Sequence, residues 1–577
     1  MPRVSLRPYI KLVILQFFFV ANLSAETICN RFVTPDQIKW TTSEKRTLCG
    51  SNDTPSWQNI PFNQAEFFFR SFLQSRGYHS PSFEEVDDKL FVKPGKLTEV
   101  SQLRAYPERA DLDLDKYWFP IGRPLTPSQL NEIEKWFAFK LGRLGYACPK
   151  FSMTADKDSG EVLIQYDAGA HWTIDEVEGG SIPQVEDGTL DRYEAFSIGD
   201  AYDPILLEIS ATRIKESQTV INTQYSPECA EKPAGTIRQT TLPGEPRLLS
   251  FGFGFDSENL FIAKGTWRNS RLSRSASMLE VSGTLSYRQQ RFVTSYDWYY
   301  LPYPTSHYIK SYFQVEREFE PNYEARTIKT GMAPAYQTDW SDLKLDMYLG
   351  PSLSFESTQR GEAPASTRLL SMDLGFNIMD HMYEYYLVNP QTGYQVNLFG
   401  SFSNKSVVSD VSISHYKLDF TYLWNILNYD PSIWVLGFRG SYVTTQPGKG
   451  TDATDVPASL KQFLGGSEDM RGFARKNLPS EGTGSLTRAY LGMELRLNNK
   501  LPWNLQPLVF VDYGQLGDLA FELDPIKFYS PGIGMRWQSP IGTVRVSAAH
   551  GYVADDKLEL YKDRTDMQYY FSLGEQF

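Results

Sequence analysis

Residues 249–256 read Leu-Ser-Phe-Gly-Phe-Gly-Phe-Asp, and this alternation decides the fold. Successive side chains of a β-strand point to opposite faces of the sheet, so the apolar residues of this stretch share one face. The other face carries a serine, two glycines and an aspartate. A strand with one apolar and one polar face suits a barrel wall that has lipid outside and water inside. The apolar face comprises Leu249, Phe251, Phe253 and Phe255.

The same period of two recurs toward the end of the chain, for example in residues 343–350 and 394–402. Turn-forming clusters such as residues 389–393, Asn-Pro-Gln-Thr-Gly, separate the runs. Residues 245–577 hold about 16 or 17 candidate strands, and an open sheet edge in lipid would leave backbone groups unpaired. The sequence therefore predicts a closed transmembrane β-barrel of about 16 antiparallel strands. A large soluble all-β protein is the alternative.

Composition narrows the classes of function. The chain has 577 residues, of which 14% are aromatic, and this enrichment fits the aromatic girdles of a membrane barrel. A net charge of −12 argues against nucleic acid as a partner, because that binding is dominated by lysine and arginine. The sequence carries no Gly-x-Ser-x-Gly elbow, phosphate-binding loop or His-Glu-x-x-His motif, and its six histidines are scattered. We expect no enzyme activity, no cofactor and no metal site.

The first 25 residues have the features of an export signal. Arg3, Arg7 and Lys11 precede a short apolar run at residues 12–20, and small residues follow as far as Ala25. The run is too short to span a bilayer as a helix, which needs roughly 20 apolar residues. We therefore predict a signal peptide over residues 1–25, with a buried N-terminal helix as the alternative.

Between the signal and the barrel, the pattern is that of a repeat. Residues 121–127 match residues 198–204, and each stretch ends in an N-cap residue followed by proline at the first helical position. Thr126 and Gln129 form a predicted capping box. Gly-Tyr pairs end the first two predicted helices, and the third helix is expected to run from 204 to 221 and to end near Gln224-Tyr225. Three small α/β units are predicted over residues 26–98, 99–170 and 171–244.

All four cysteines lie in this arm. An even number in an exported segment suggests disulfide bonds in an oxidising compartment. The local pairing joins Cys29 to Cys49 and leaves Cys148 with Cys229, although the sequence alone does not fix the connectivity.

One predicted connection, residues 445–484, is much longer than the others, and a loop of this length in a compact fold is commonly functional. Inside it, residues 463–473 read Phe-Leu-Gly-Gly-Ser-Glu-Asp-Met-Arg-Gly-Phe. Two acidic residues follow in predicted strands, Glu494 in Gly-Met-Glu-Leu-Arg and Asp512 in Phe-Val-Asp-Tyr-Gly. An arginine in a polar lumen needs a partner, and its planar fork suits carboxylates.

These motifs resemble the signature of the outer-membrane insertase and translocator superfamily that includes BamA, TamA and the two-partner secretion transporters. The three α/β units resemble its POTRA domains, and their number together with the C-terminal ending resembles the TamA branch. The resemblance implies that the long loop folds back into the barrel, where Arg471 meets Glu494 and Asp512 on the wall. The loop motif that carries this implication consists of Gly465, Gly466, Arg471, Gly472 and Phe473.

The resemblance also implies a function in the bacterial outer membrane, with the POTRA arm in the periplasm. Members of this superfamily insert or translocate client outer-membrane proteins such as autotransporters. The expected partners are unfolded clients, outer-membrane lipids and a large periplasm-spanning protein akin to TamB. The barrel is expected to open between its first and last strands, and a two-partner secretion transporter and a passive channel or receptor are the alternatives. The gate residues are then Phe251, Phe253, Phe255, Phe571, Leu573, Gly574 and Phe577.

Overall fold

The computed structural model describes residues 25–35, 38–49, 61–229, 235–300, 306–479, 482–540, 542–554 and 566–574. The predicted signal peptide, apart from Ala25, lies outside these residues, and so does Phe577. Among these residues, no helix combines the length and the apolar character that are needed to cross a bilayer. The chain forms two compact units, one with the first repeat and part of the second, the other with the remainder.

The first repeat is a four-stranded sheet, in the order β1-β2-β4-β3, with two helices. On α2, residues spaced four apart (Ala65, Phe69 and Leu73) are buried and form a core with residues of β2 and β4. This spacing places them on one face of the helix, so a single apolar stripe holds it to the sheet. The elements are β1 (Ala25–Ile28), β2 (Phe32–Pro35), α1 (Thr42–Cys49), α2 (Phe62–Gln74), β3 (Ser82–Val86) and β4 (Lys89–Lys93).

The second repeat has a three-stranded sheet in the order β5-β7-β6 and one long helix, α3. The hydroxyl of Thr126 accepts a hydrogen bond from the Gln129 amide at 3.1 Å, as expected for an N-cap. The Gln129 side chain instead donates to Glu132, so only half of the predicted capping box forms. The elements are β5 (Gln102–Tyr106), α3 (Pro127–Arg143), β6 (Lys150–Ala155) and β7 (Glu161–Asp167).

The third repeat has the sheet order β8-β10-β9, with α4 preceding β9. Asp203 caps α4 by accepting a hydrogen bond from the Ile205 amide at 2.8 Å. The predicted extension of this helix to residue 221 is wrong, because the chain turns at Gln218, which has a φ of +58°, and then pairs with β10 as a strand. Gln224 and Tyr225 accordingly lie in β9. The elements are β8 (Glu176–Gly179), α4 (Pro204–Glu216), β9 (Val220–Pro227) and β10 (Thr236–Pro243).

These three small α/β domains agree with the predicted arm of POTRA-like repeats. A disulfide bond joins Cys148, which follows α3, to Cys229, which follows β9. The side chain of Cys49, the predicted partner of Cys29, lies outside the described part of the chain. The longer of the two predicted cross-links therefore ties the second repeat to the third.

The remainder of the chain closes into an antiparallel barrel, as predicted. A short segment, β26, continues β25 after Gly551 and pairs with the same neighbour, β24, so the described residues form sixteen strands. The first eight segments are β11 (Arg247–Asp256), β12 (Leu260–Asn269), β13 (Met278–Leu285), β14 (Gln289–Trp298), β15 (His307–Phe319), β16 (Glu324–Trp340), β17 (Leu343–Arg360) and β18 (Ser366–Asp380). The rest are β19 (Gly393–Ser403), β20 (Ile413–Ile426), β21 (Trp434–Pro447), β22 (Thr487–Leu497), β23 (Leu505–Gly517), β24 (Lys527–Ser539), β25 (Gly542–His550), β26 (Tyr552–Ala554) and β27 (Met567–Leu573).

The two faces of the barrel wall differ as the alternation predicts. Phe251 and Phe253 are about two-thirds exposed on the outside, at 68% and 66%, and Tyr569 is 73% exposed. On the inside, Asp512 of β23 is fully buried. Large apolar residues that would be unfavourable in water are therefore directed outward, where lipid covers them.

The third repeat contains a carboxyl group that makes its stability depend on pH. Burial and the neighbouring Asp191 raise the pKa of Glu194 to about 8, against the opposing effect of a hydrogen bond from the Tyr225 hydroxyl. Because the pKa of this carboxyl is higher in the folded state than in the unfolded state, its protonation stabilises the fold. This stabilisation is complete below the unfolded pKa near 4.5 and is lost as the pH rises toward 8. We expect amide hydrogen exchange in β9 and β10 of the full chain to accelerate over this window because local opening becomes easier.

The variant Glu194→Gln tests the assignment, since it keeps a neutral side chain of similar shape. Its exchange in β9 and β10, corrected for intrinsic exchange rates, should lose most of the pH dependence between about 5 and 8. Glu176→Gln, at an exposed position of β8, is the matched control and should behave like the wild type. Unchanged pH dependence in Glu194→Gln would contradict the prediction.

Candidate functional site

The long loop begins and ends slightly later than predicted. β21 continues to Pro447, because it stays paired with β20 as far as Ile413, so residues 445–447 are strand rather than loop. The loop covers residues 448–486 and contains two short 3-10 helices, Ala453–Asp455 and Ala458–Leu460. Strand pairing sets these limits, and the sequence pattern at 445 gave no sign of them.

The loop folds back against the inner wall of the barrel. Four apolar side chains in the middle of the loop are almost completely buried in one cluster with residues of β22, β23, β24 and β26. This packing removes the middle of the loop from water and fixes its position in the lumen. The loop contributes Leu464, Met470, Phe473 and Leu478, and the wall contributes Tyr490, Leu516, Phe528 and Val553.

Arg471 is the central polar contact of this arrangement. Its Nε and Nη2 donate to the two carboxylate oxygens of Asp512 at 2.8 and 2.9 Å. Its Nη1 donates to Glu494 at 3.1 Å, and its backbone amide donates to Asp512 at 3.2 Å. Arg471 is 6% exposed. The structure thus brings together the three charged residues that the sequence motifs singled out.

Neighbouring groups complete the environment of this ion pair. The Tyr490 hydroxyl donates to Asp512 at 3.1 Å and accepts a hydrogen bond from Arg439 at 2.9 Å. The guanidinium of Arg471 lies over the ring of Phe510, 3.3 Å from its centroid. The bidentate geometry fixes the direction of the arginine, and charge-assisted hydrogen bonds of this kind are about twice as strong as neutral ones. The loop is therefore anchored to β22 and β23.

Glycines allow the loop backbone to approach the wall. A Cβ on Gly472 would lie 2.4 Å from the backbone nitrogen of Gly551, at the break between β25 and β26, and equally close to Ser530 Oγ. Gly465 and Gly466 have φ values of +113° and +122°, which favour glycine. Three of the five motif residues are thus glycines for steric reasons.

Two basic residues that the sequence reasoning missed tie the loop to the other side of the barrel. Arg475 donates to both carboxylate oxygens of Glu320 at 2.7 and 2.9 Å, and Lys476 lies 3.3 Å from the same group. The Ser467 amide and hydroxyl donate to Glu258, in the turn after β11, at 3.1 and 2.6 Å. The adjacent Arg-Lys pair was visible in the sequence, but its partners lie far away along the chain and follow no recurring spacing.

The seam between the first and last strands is short. Within the described residues, β11 and β27 share only the register pairs Phe255–Leu573 and Asp256–Ser572. β27 is paired much further with β25, from Val544–Leu573 to His550–Met567. On its seam side, the β11 edge over 247–254 therefore has no paired strand in the described part of the chain.

Gly574 follows β27 at this seam and has a φ of +105°, so the chain turns away from strand geometry there. A Cβ at Gly574 would lie 3.3 Å from Gly254 Cα and 3.4 Å from the carbonyl oxygen of Phe253. Two glycines thus face each other where pairing stops. Of the other predicted gate residues, the rings of Phe255 and Phe571 lie 6.0 Å apart across the seam, and Phe251 and Phe253 stand on the outside of β11.

The loop contacts both sides of the seam. The Tyr570 hydroxyl of β27 donates to the carbonyl oxygen of Phe473 at 2.8 Å, and Glu258 next to β11 accepts from Ser467.

Within the described ranges, no group of three or more His, Cys, Asp or Glu side chains is arranged to hold a metal ion.

A protein-family model described as the Omp85 superfamily domain matches residues 260–577, which include the loop motif and both of its carboxylate partners. The chain belongs to the Omp85 superfamily. Membership of this family and the closed barrel indicate the bacterial outer membrane as its location.

Matches among solved structures include BamA and two CdiB proteins. BamA from Haemophilus ducreyi lacking POTRA domains 1–3 is 16% identical with a TM-score of 0.49, over 83% of this chain and 99% of that one. CdiB from Escherichia coli is 13% identical with a TM-score of 0.45, over 91% and 100%. CdiB from Acinetobacter baumannii is 13% identical with a TM-score of 0.43, over 89% and 96%.

The anchor of the Omp85 loop can be tested by removing one of its charges. Arg471→Met leaves Asp512 buried without its cation, and breaking a buried pair in this way costs about 3–5 kcal/mol. We expect a clear fall in the unfolding temperature of the barrel in detergent micelles and faster trypsin cleavage within residues 448–486.

The double variant Arg471→Met/Asp512→Asn removes the fully buried carboxylate together with its cation and should recover much of that loss, because the remaining carboxylate, Glu494, still lies 3.6 Å from Arg496. Arg317→Met is the control, since Arg317 is a more exposed arginine of β15 paired with Glu324 at 2.9 Å. Surface ion pairs contribute about 0–1 kcal/mol, so this control should change little. Equal effects of Arg471→Met and Arg317→Met would contradict the anchoring role.

Proposed function

We propose that this Omp85 protein inserts or translocates client outer-membrane proteins through a lateral gate between β11 and β27. The observation that carries the proposal is that, within the described residues, the seam has two register pairs, whereas neighbouring strands such as β17 and β18 are paired along most of their length. Opening a sheet in lipid requires breaking backbone hydrogen bonds that water cannot replace, so the gate belongs where the fewest have to be broken.

An open seam offers a template for a client strand. Among the described residues, no strand pairs with the seam side of β11 over 247–254, and backbone groups at such an edge readily pair with another chain. Its outward side chains, Phe251 and Phe253, face lipid, where a client barrel must finally reside. Folding of the client into the bilayer supplies the driving force, so no nucleotide is needed.

The lumenal loop favours this function over that of a passive channel. Its ion pairs run from Asp512 on β23 to Glu320 after β15, so it is attached on both sides of the lumen. A permanently open pore has no use for a loop fixed in this way. Contacts at Tyr570 and Glu258 instead allow the loop to respond to the separation of β11 from β27.

In this proposal, the arm receives unfolded clients by strand addition to an exposed sheet edge. β3 is a suitable edge in the first repeat, because it lies at the end of its sheet and most of its side chains are exposed. Three repeats favour the TamA branch, with autotransporters as clients and a TamB-like partner in the periplasm. A two-partner secretion role would instead require one dedicated secreted protein.

A disulfide clamp across the seam tests the gate. We expect Phe255→Cys/Leu573→Cys, which replaces a directly opposed pair, to block insertion of a client barrel into liposomes when oxidised and to restore it when reduced. The physical reason is that a covalent bond prevents the strands from separating. Insertion is measured as the fraction of client that becomes protected from protease and resistant to SDS.

Ala548→Cys/Tyr569→Cys is the matched control, because it joins an outward-facing pair of β25 and β27 that the proposal keeps together and that does not belong to the predicted gate. Its oxidised form should insert clients as the wild type does. Full activity of the oxidised Phe255–Leu573 clamp would refute the lateral gate, and stable open conductance of the purified protein would favour a passive channel.

A further inference from the structure

The half of the lumen nearest the arm contains arginines that the loop does not use. Arg496 of β22 follows Glu494 on the same inward face, and Arg536 of β24 is directly opposite Arg545 of β25 in the register. Like charges directly opposite each other in a sheet are destabilising. A cluster of this kind is therefore not explained by the stability of the barrel.

Two of these guanidinium groups lack a full set of partners. Arg496 and Arg536 are 5% and 7% exposed, and within the described residues the Nε atom of each has no hydrogen-bond acceptor. The carboxylate of Glu494 lies 3.6 Å from Arg496 Nε, beyond hydrogen-bond distance, and already accepts from Arg471 at 3.1 Å. Burying a charged donor without an acceptor is unfavourable, so each of these two Nε atoms would gain from an anionic acceptor.

The connection between β18 and β19, residues 381–392, covers this cluster. Arg496 donates to the carbonyl oxygen of Pro390 at 3.0 Å, and Arg536 reaches that of Val388 at 3.5 Å. The Asn389 side chain accepts from Gln506 and Gln538 at 3.4 and 3.3 Å. Neutral oxygens at these distances are weaker partners than a carboxylate and can be displaced by one.

The same connection is held from the arm. Arg213 of α4 donates to both carboxylate oxygens of Glu384 at 2.8 Å and to both oxygens of Asp339 at 2.7 Å. Glu384 belongs to the short helix α5 (His381–Tyr385) at the start of the connection. The connection over the arginines is therefore attached to the third repeat.

We propose that Arg496 and Arg536 form a binding site for carboxylates, which an acidic segment of a client polypeptide occupies when it enters the lumen. This inference rests on the proposed function for the identity of the ligand. Arginine is suited to the task because its planar fork binds carboxylates with two parallel hydrogen bonds. Residues 388–390 occupy the site when no client is present.

The test uses the full chain in detergent micelles and a fluorescent hexaglutamate peptide, with hexalysine and inorganic phosphate as comparisons. We expect saturable hexaglutamate binding, a rise in unfolding temperature with peptide concentration, and no binding of hexalysine. Arg496→Gln/Arg536→Gln should weaken hexaglutamate binding by at least about tenfold, as expected for lost hydrogen bonds to a charged group. The peptide-free variant should unfold at the same temperature as the wild type or higher, because an uncompensated charge has been removed.

Arg317→Gln, an arginine already paired with Glu324, is the control and should bind the peptide like the wild type. Unchanged binding by the double variant, an equal loss in Arg317→Gln, or equal binding of hexalysine would overturn the proposal. Displacement of hexaglutamate by inorganic phosphate, at concentrations where phosphate acts only as a counterion, would also overturn the proposal. The site would then bind anions in general and would not recognise a peptide. Binding is measured without client insertion, so failure of the lateral gate would be seen separately.

Discussion

The constraint on which this barrel depends is that every backbone group inside a bilayer must be paired within the protein. β17 and β18 satisfy it along a continuous register from Leu343–Asp380 to Ser357–Ser366. Within the described residues, β11 and β27 satisfy it at two register pairs, and the Ser257 amide just after β11 adds one hydrogen bond to the Phe571 carbonyl oxygen at 2.9 Å. The free energy needed to separate neighbouring strands is therefore very uneven around the barrel. A protein that has to open sideways gains from this, because one joint can part while the rest of the wall stays intact.

The loop is likewise held more strongly on one side of the lumen than on the other. Arg471 binds Asp512 of β23 through a buried, bidentate contact and also binds Glu494 of β22, whereas the Tyr570 hydroxyl of the seam strand β27 donates a neutral hydrogen bond to the Phe473 carbonyl oxygen. A buried ion pair resists rupture far more than one neutral hydrogen bond does. The loop can thus remain fixed on β23 while its contact with the seam breaks and reforms.

Features that depend on local periodicity were predicted correctly from the sequence. Features that depend on pairing between distant parts of the chain were not. Alternation of apolar and polar residues was enough for the barrel, and the motif resemblance was enough to place Arg471 beside Asp512. The end of α4 was predicted too late, because only the pairing with β10 shows that Val220 and Ile221 belong to a strand. The Arg475–Glu320 contact could not be predicted, because the two residues lie far apart in the sequence and belong to no shared motif.

Glu494 connects the loop to the arginines nearest the arm. It accepts from Arg471 at 3.1 Å and lies 3.6 Å from Arg496, so the two arginines compete for one carboxylate. While the loop is anchored, Arg496 is only partly neutralised and attracts another anion. Release of Arg471 would free Glu494 to neutralise Arg496 and would lower the affinity for that anion. By reciprocity, an anion bound beside Arg496 leaves Glu494 to Arg471 and strengthens the anchor, which couples the arm side of the lumen to the loop.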